Sequence, residues 1–200
     1  MTFIIATQNR KKCAELERIL TPLGIDVLTP AAAGITLDDV EETGSTFLEN
    51  AKLKAVAAMK RSGLPAIADD SGLVVDALGG APGVYSARYA GENASDGDRI
   101  KKLLFEMKDV PAGARQAHFV CALCCVFPDG EDVTVQERCE GVIAFAPQGA
   151  GGFGYDPVFL MGGGSSFAQL SDEQKDAVSH RGRALRALER NLKHRIKKDK

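Results

Sequence analysis

Leu64-Pro65-Ala66-Ile67-Ala68-Asp69-Asp70-Ser71-Gly72 is the stretch that decides the fold class of this chain. Its first five residues form a short apolar run, the pattern of a buried strand over 64–68. The run stops on two consecutive acids and a Ser-Gly pair. Ligands of open α/β sheets gather at the carboxyl ends of strands, so carboxylates placed there point to a site. Asp, Ser and Gly are also turn formers, and a plain Asx-type turn is the competing reading.

Helical and strand patterns alternate on both sides of this stretch. Upstream, Thr46 and Glu49 have capping-box spacing, and Phe47, Ala51, Ala55, Ala58 and Met59 share one helical face that Gly63 terminates. Residues 2–6 read as a first strand. Cys13, Leu16 and Leu20 mark a helix over 10–21, ended by Pro22 and Gly24, and 25–28 is a second strand. Downstream, 73–78 reads as a further strand, and 79–97 as an ordered Gly-rich loop. Ser95 caps a helix carrying Ile100, Leu103, Leu104 and Met107. Residues 116–127 form a long apolar strand, Pro128-Asp129-Gly130 a turn, and Val133 and Val135 alternate after it; 141–146 is another strand. A second Gly-rich loop spans 148–164. Ser171 and Gln174 repeat the capping box, and a final helix carries Leu185, Leu188 and Leu192. Interleaved strands and helices with one hairpin give an α/β class with a mixed sheet. No repeat or low-complexity linker divides the chain, so residues 1–200 are expected to form a single domain.

Composition bounds the function. Of 200 residues, 44% are hydrophobic and 26% charged, an ordinary globular balance. A net charge of −2 gives no reason to expect nucleic-acid or membrane-surface binding. No run approaches the roughly 18–20 apolar residues of a membrane span, and the start lacks a signal-peptide pattern. A cytoplasmic protein is expected. The five cysteines, Cys13, Cys121, Cys124, Cys125 and Cys139, lie mostly in apolar segments and read as core thiols. Cys121 and Cys124 have CxxC spacing, but no second ligand pair accompanies them.

Five segments carry potential chemistry. Thr7-Gln8-Asn9-Arg10-Lys11-Lys12 joins a strand to a helix N-terminus, where unpaired N–H groups favour anions; a simple N-cap with a basic face also fits. Glu41-Glu42 and Asp69-Asp70 group hard oxygen ligands suited to magnesium; a solvated acidic turn is the competing reading of Glu41-Glu42. Asn50 and Lys54, at i,i+4 spacing, present an amide and an ammonium on one helical face; by spacing alone a plain solvated face also fits. In Gly151-Gly152-Phe153-Gly154-Tyr155-Asp156-Pro157, glycines flank two aromatic residues able to stack on a base. Gly149, Gly151 and Gly154 also match GxGxxG by chance, but Pro157 and the residues after it open no helix, so a dinucleotide fingerprint is rejected. Lys175 with Ser179-His180-Arg181 supplies donors that suit a keto oxygen and oppose an amino group; charge on a helix surface is the competing reading. No P-loop, GxSxG elbow or HExxH motif occurs.

Together these segments resemble the inosine triphosphate pyrophosphatase family, which acts on non-standard purine nucleoside triphosphates. The resemblance runs from Ile4 to about Leu188 and rests on Glu41-Glu42-Thr43-Gly44 with Thr46-Phe47 and Glu49-Asn50-Ala51, Ile67 to Leu73, Gly79 to Tyr89, Gly152 to Pro157 and Ser179-His180-Arg181. It implies an elongated mixed sheet flanked by helices, two lobes with a central active-site cleft, a homodimer and Mg²⁺ dependence. It implies a purine nucleoside triphosphate as partner, with neither nucleic acid nor membrane. By position, Thr7, Asn9 and Lys12 match the family's triphosphate-binding T-x-N-x-x-K, with Gln8, Arg10 and Lys11 in the same segment. Gln8 stands where the family often has Gly, and Lys11 where a small residue is usual. Glu41 and Asp70 match the metal ligands, and Asp70 the catalytic base. Lys54, Ser71, Phe153, Gly154, Tyr155, Asp156, Lys175, His180 and Arg181 are assigned to the substrate, with Asp69 and Asn50 in support. Hydrolysis of ITP, dITP or XTP to monophosphate and pyrophosphate is the expected activity. A phosphatase releasing orthophosphate and a non-catalytic nucleotide- or RNA-binding module are the alternatives.

Overall fold

The computed structural model describes residues 2–7 and 9–196. Six strands form one sheet in the order β2-β1-β3-β4-β5-β6. They are β1 (Thr2–Ile5), β2 (Asp26–Leu28), β3 (Ala66–Val75), β4 (Gln116–Val126), β5 (Asp132–Ile143) and β6 (Phe159–Leu160). β1 pairs in parallel with β2 and β3, and β5 pairs antiparallel with β6, so the sheet is mixed as expected. The helices are α1 (Arg10–Leu20), α2 (Phe47–Ser62), α3 (Asp96–Glu106), α4 (Asp172–Val178) and α5 (His180–Ile196).

Local sequence explains where the helices start and stop. Asn9 caps α1 by accepting from the Lys11 and Lys12 N–H groups. Thr46, Ser95 and Ser171 build capping boxes on α2, α3 and α4 with Glu49, Asp98 and Gln174. α2 ends at Gly63, whose φ of 69° is open to glycine at little cost.

The contacts divide into two compact units. The first comprises Met1–Asp70, Cys121–Glu137 and Arg181–Lys200; the second comprises Ser71–Val120 and Arg138–His180. In the first unit, Phe3, Ile5, Ile67, Cys121, Leu123 and Cys125 pack with Leu16 and Leu20 of α1 and Leu185, Leu188 and Leu192 of α5. Ile4, Ala66 and Ala68, which alternate with them, are buried too. These strands are therefore covered on both faces, which is why they read as continuous apolar runs. The second unit centres on Leu73, Leu103, Met107, Phe119, Phe159 and Phe167. Four of the five cysteines are buried and none is in a disulfide.

Two pairs of expected strands are single strands. Residues 64–68 and 73–78 give way to β3, which runs straight through Asp69-Asp70-Ser71-Gly72. An Asx turn needs its side-chain oxygen to bond the backbone nearby. Here three of the four carboxylate oxygens of Asp69 and Asp70 are bound by cationic side chains instead. The strands expected around Val133 and at 141–146 merge into β5. Gly141 lies within it because a Cβ there would meet the Phe159 ring at 2.5 Å.

Arg115 anchors the second unit's backbone. It is 2% exposed and donates to four carbonyls: Ile143 at 2.7 Å, Met107 at 2.9 Å, Val110 at 3.1 Å and Ala144 at 3.0 Å. Arg115→Met strands these acceptors and is expected to destabilise the protein by about 3 kcal/mol, since each buried unsatisfied group costs about 1–3 kcal/mol. Urea unfolding measures it; a loss below about 1 kcal/mol would mean that water replaces the guanidinium.

Candidate active site

β3 carries the two acids into the first unit, and its pleat sends successive side chains to opposite faces. Asp69 is fully buried and meets α1, β4 and α5. Its Oδ1 accepts Lys12 Nζ at 2.6 Å, and its Oδ2 accepts Arg181 Nε at 2.8 Å and Cys121 Sγ at 3.2 Å. Burial alone would raise its pKa, but the charges of Arg181 and Lys12 outweigh burial and hold it well below the usual carboxylate range. Arg181 also pairs with Glu15 of α1.

Asp70 meets α2. Lys54 Nζ donates to Asp70 Oδ1 at 3.0 Å, to Glu42 Oε1 at 2.7 Å and to the Asp69 carbonyl at 2.9 Å. Burial pushes the Asp70 carboxyl up; Lys54 and Lys12 offset this in part, and Glu42 adds to it. Asp70 Oδ2 is buried with no hydrogen-bond partner among the described residues. Asn50, one turn before Lys54, accepts the Gly44 N–H at 2.7 Å and so ties the acidic loop to the helix. A Cβ on Gly44 would meet Asn50 Oδ1 at 2.7 Å, which accounts for glycine there.

The remaining first-unit residues surround this pair less closely. Thr7 Oγ1 accepts the Asn9 N–H at 3.2 Å, and the Asn9 side chain is occupied by its capping role. Arg10 and Lys11 are exposed. Gln8 lies outside the described residues. Glu41 is exposed beside Val40, Leu53 and Lys60, whereas its neighbour Glu42 shares Lys54 with Asp70. Glu15 and Cys121 are the participants that sequence reasoning missed, while Glu42 was grouped with the acids but given no role of its own. Glu15 carried one faint signal, its i+3 position relative to Lys12.

In the second unit, Lys175 Nζ pairs with Asp156 Oδ2 at 2.7 Å and sits 4.6 Å from the centre of the Phe153 ring. Asp156 Oδ2 also accepts the Phe153 N–H at 2.8 Å, and Asp96 accepts the Gly154 N–H at 2.9 Å. The loop is thus fixed from both sides. Gly152, at φ 69°, leaves room for Asp156: a Cβ there would overlap its carboxylate. Tyr155 is buried and donates to the Ser86 carbonyl at 3.0 Å, a structural contact. His180 is buried and stacks on Phe119, ring centres 4.7 Å apart. Ser71, the first residue of this unit, is half-buried in β3.

The sequence profile of the Ham1 family matches residues 3–191. A dITP/XTP pyrophosphatase of Photorhabdus laumondii is 50% identical over 188 residues, covering 92% of this chain and 94% of that protein. One of Geobacillus kaustophilus is 50% identical over 191 residues, covering 93% and 91%. A solved Ham1 protein from Coxiella burnetii superposes with a TM-score of 0.87 at 41% identity, covering 97% of this chain and 99% of that one. The chain belongs to the Ham1 family.

Proposed function

We propose that this protein hydrolyses non-standard purine nucleoside triphosphates, ITP, dITP and XTP, to the monophosphate and pyrophosphate, with residues 1–200 working as one catalytic domain. The observation that carries the proposal is the Glu42–Lys54–Asp70 cluster with Lys12 held beside it on Asp69. It gathers carboxylates and ammonium groups as a charged polyphosphate requires. Relatives named dITP/XTP pyrophosphatase at 50% identity support the substrate class.

The residues fit a magnesium ion. Asp70 Oδ2 is a buried oxygen in need of a partner. No group of three or more His, Cys, Asp or Glu gathers into a metal cluster among the described residues. Magnesium commonly takes only one or two carboxylates and completes its shell with phosphates and water. Glu41 and Asp70 are the proposed protein ligands. The bound ion supplies charge neutralisation and Lewis acidity at the triphosphate.

This chain's own groups supply the rest. Asp70 accepts a proton from water as the water oxygen bonds to the α-phosphorus. The α–β bridging bond breaks, and pyrophosphate leaves. Lys54 and Lys12 balance the charge that builds on the departing oxygens. The helix start at Thr7 to Lys12 holds the polyphosphate, with Ser71 beside Asp70 in sequence. Phe153, fixed by Gly154, Tyr155, Asp156 and Lys175, takes the base face. His180 and Arg181 donate to a 6-keto oxygen. Removal of deaminated purines from the nucleotide pool is the consequence of that selectivity.

We also propose a cytoplasmic homodimer. Five cysteines without a disulfide suit a reducing compartment. Exposed Tyr85, Phe105 and Phe145 offer apolar area for a second copy.

Purified protein with ITP and magnesium is expected to yield IMP and pyrophosphate in equal amounts, and EDTA to abolish the reaction. One unsatisfied buried donor costs about 1–3 kcal/mol, so ATP is expected to react about 10–100-fold more slowly. Orthophosphate as first product, or equal rates for ATP and ITP, would overturn the proposal.

A further inference from the structure

Asp69 has no exposure, and Lys12, Arg181 and Cys121 are among the donors on its two oxygens. Lys12 takes Oδ1. Arg181 and Cys121 share Oδ2. Arg181 is held from its far side by Glu15. Burial and the nearby carboxylate push the Cys121 thiol well above its ordinary pKa, so the sulfur keeps its proton and donates it.

We infer that Asp69 is a positioning residue shared by Lys12 and Arg181, and that the Cys121 thiol is a further donor that fixes its carboxylate plane. The inference rests on Lys12 being a polyphosphate cation. A carboxylate torsion is broad and roughly two-fold, so each further donor narrows the rocking of its plane. A donor on Oδ2 from the rigid strand β4 limits that rocking. Lys12 needs such an anchor, because an ammonium is a compact charge on a flexible four-carbon stem. The direction of Oδ1 sets where its Nζ stands. Because one carboxylate serves both cations, a change at Cys121 reaches the phosphate end without touching it.

A core thiol that merely fills space is the plain alternative. Three variants separate the two. Cys121→Ala removes the donor and volume, Cys121→Val removes the donor while filling the space with a slightly larger apolar group, and Cys121→Ser keeps a donor. Each is made in the full chain, alone and with Lys12→Met. Two readouts are taken: steady-state ITP hydrolysis with magnesium, and calorimetric binding of inorganic tripolyphosphate. The Ala and Val variants are expected to raise KM for ITP and Kd for tripolyphosphate about fivefold, with kcat within about twofold, as for a weakened hydrogen bond to a charged group. Cys121→Ser should return both to within about twofold of the parent. In the Lys12→Met background the Cys121 changes should shift neither value by more than about twofold, since the lysine they act through is gone. Equal effects of Ala and Ser, unchanged affinity in Ala and Val, or the same fivefold loss without Lys12 would each overturn the inference. A parent that binds tripolyphosphate but does not hydrolyse ITP refutes the proposed activity alone; the binding series still decides on Cys121. A parent that does not bind tripolyphosphate refutes the positioning role as well.

Discussion

Asp70→Asn is expected to lower kcat for ITP by about 10²–10⁴-fold, the range that a positioned general base contributes. The amide has the shape of the carboxylate, and its oxygen still serves Lys54, which now bonds Oδ1 at 3.0 Å. The group replacing Oδ2 becomes an N–H₂, which has no lone pair to receive a proton from water. Burial already disfavours the charged carboxylate here, so the neutral amide costs the fold little. The expected result is therefore a folded protein with a nucleotide Kd within about tenfold of the parent and a collapsed turnover. Pyrophosphate release and calorimetric ITP binding measure the two sides. Near-normal turnover in the folded variant would remove Asp70 from the role of base.

Lys54→Met is expected to cost both stability and activity. The ammonium is the shared cation of Glu42 and Asp70, at 2.7 and 3.0 Å. Opposite charges outweigh burial and raise its pKa, so it stays protonated. Methionine keeps the apolar stem but removes the cation that the Glu42 and Asp70 carboxylates share. Breaking a buried pair costs about 3–5 kcal/mol. The Glu42 side chain is 27% exposed, so solvent screening holds the loss near about 3 kcal/mol. The urea midpoint reads this directly. ITP turnover is expected to fall about 10²–10³-fold with the loss of a group opposite the developing charge. A variant within about 1 kcal/mol of the parent in stability would show that water already screens the two acids.

Much of the site was legible because its signals are local. Capping boxes are set by residues three apart, and Thr46–Glu49, Ser95 and Ser171–Gln174 all begin helices as read. The Phe153–Asp156 loop likewise announces itself through its glycines, of which Gly152 leaves room for Asp156. The strand count was less legible. Asp-Asp-Ser-Gly has the chemistry of a turn, yet β3 continues through it with cations from distant helices on both acids.

The amino-acid sequence alone determined the α/β class, the helix starts, the family and the set of charged residues available for chemistry. These depend on periodicity, on near neighbours along the chain and on long motifs in a fixed order. The tertiary structure decided how the charges are paired. Asp69 and Asp70 are adjacent in sequence, yet one serves Lys12, Arg181 and Cys121 while the other serves Lys54. The strand pleat turns neighbouring side chains apart, and their partners come from 16 to 112 positions away. No local pattern encodes pairings over such separations, because packing of helices against the sheet selects them.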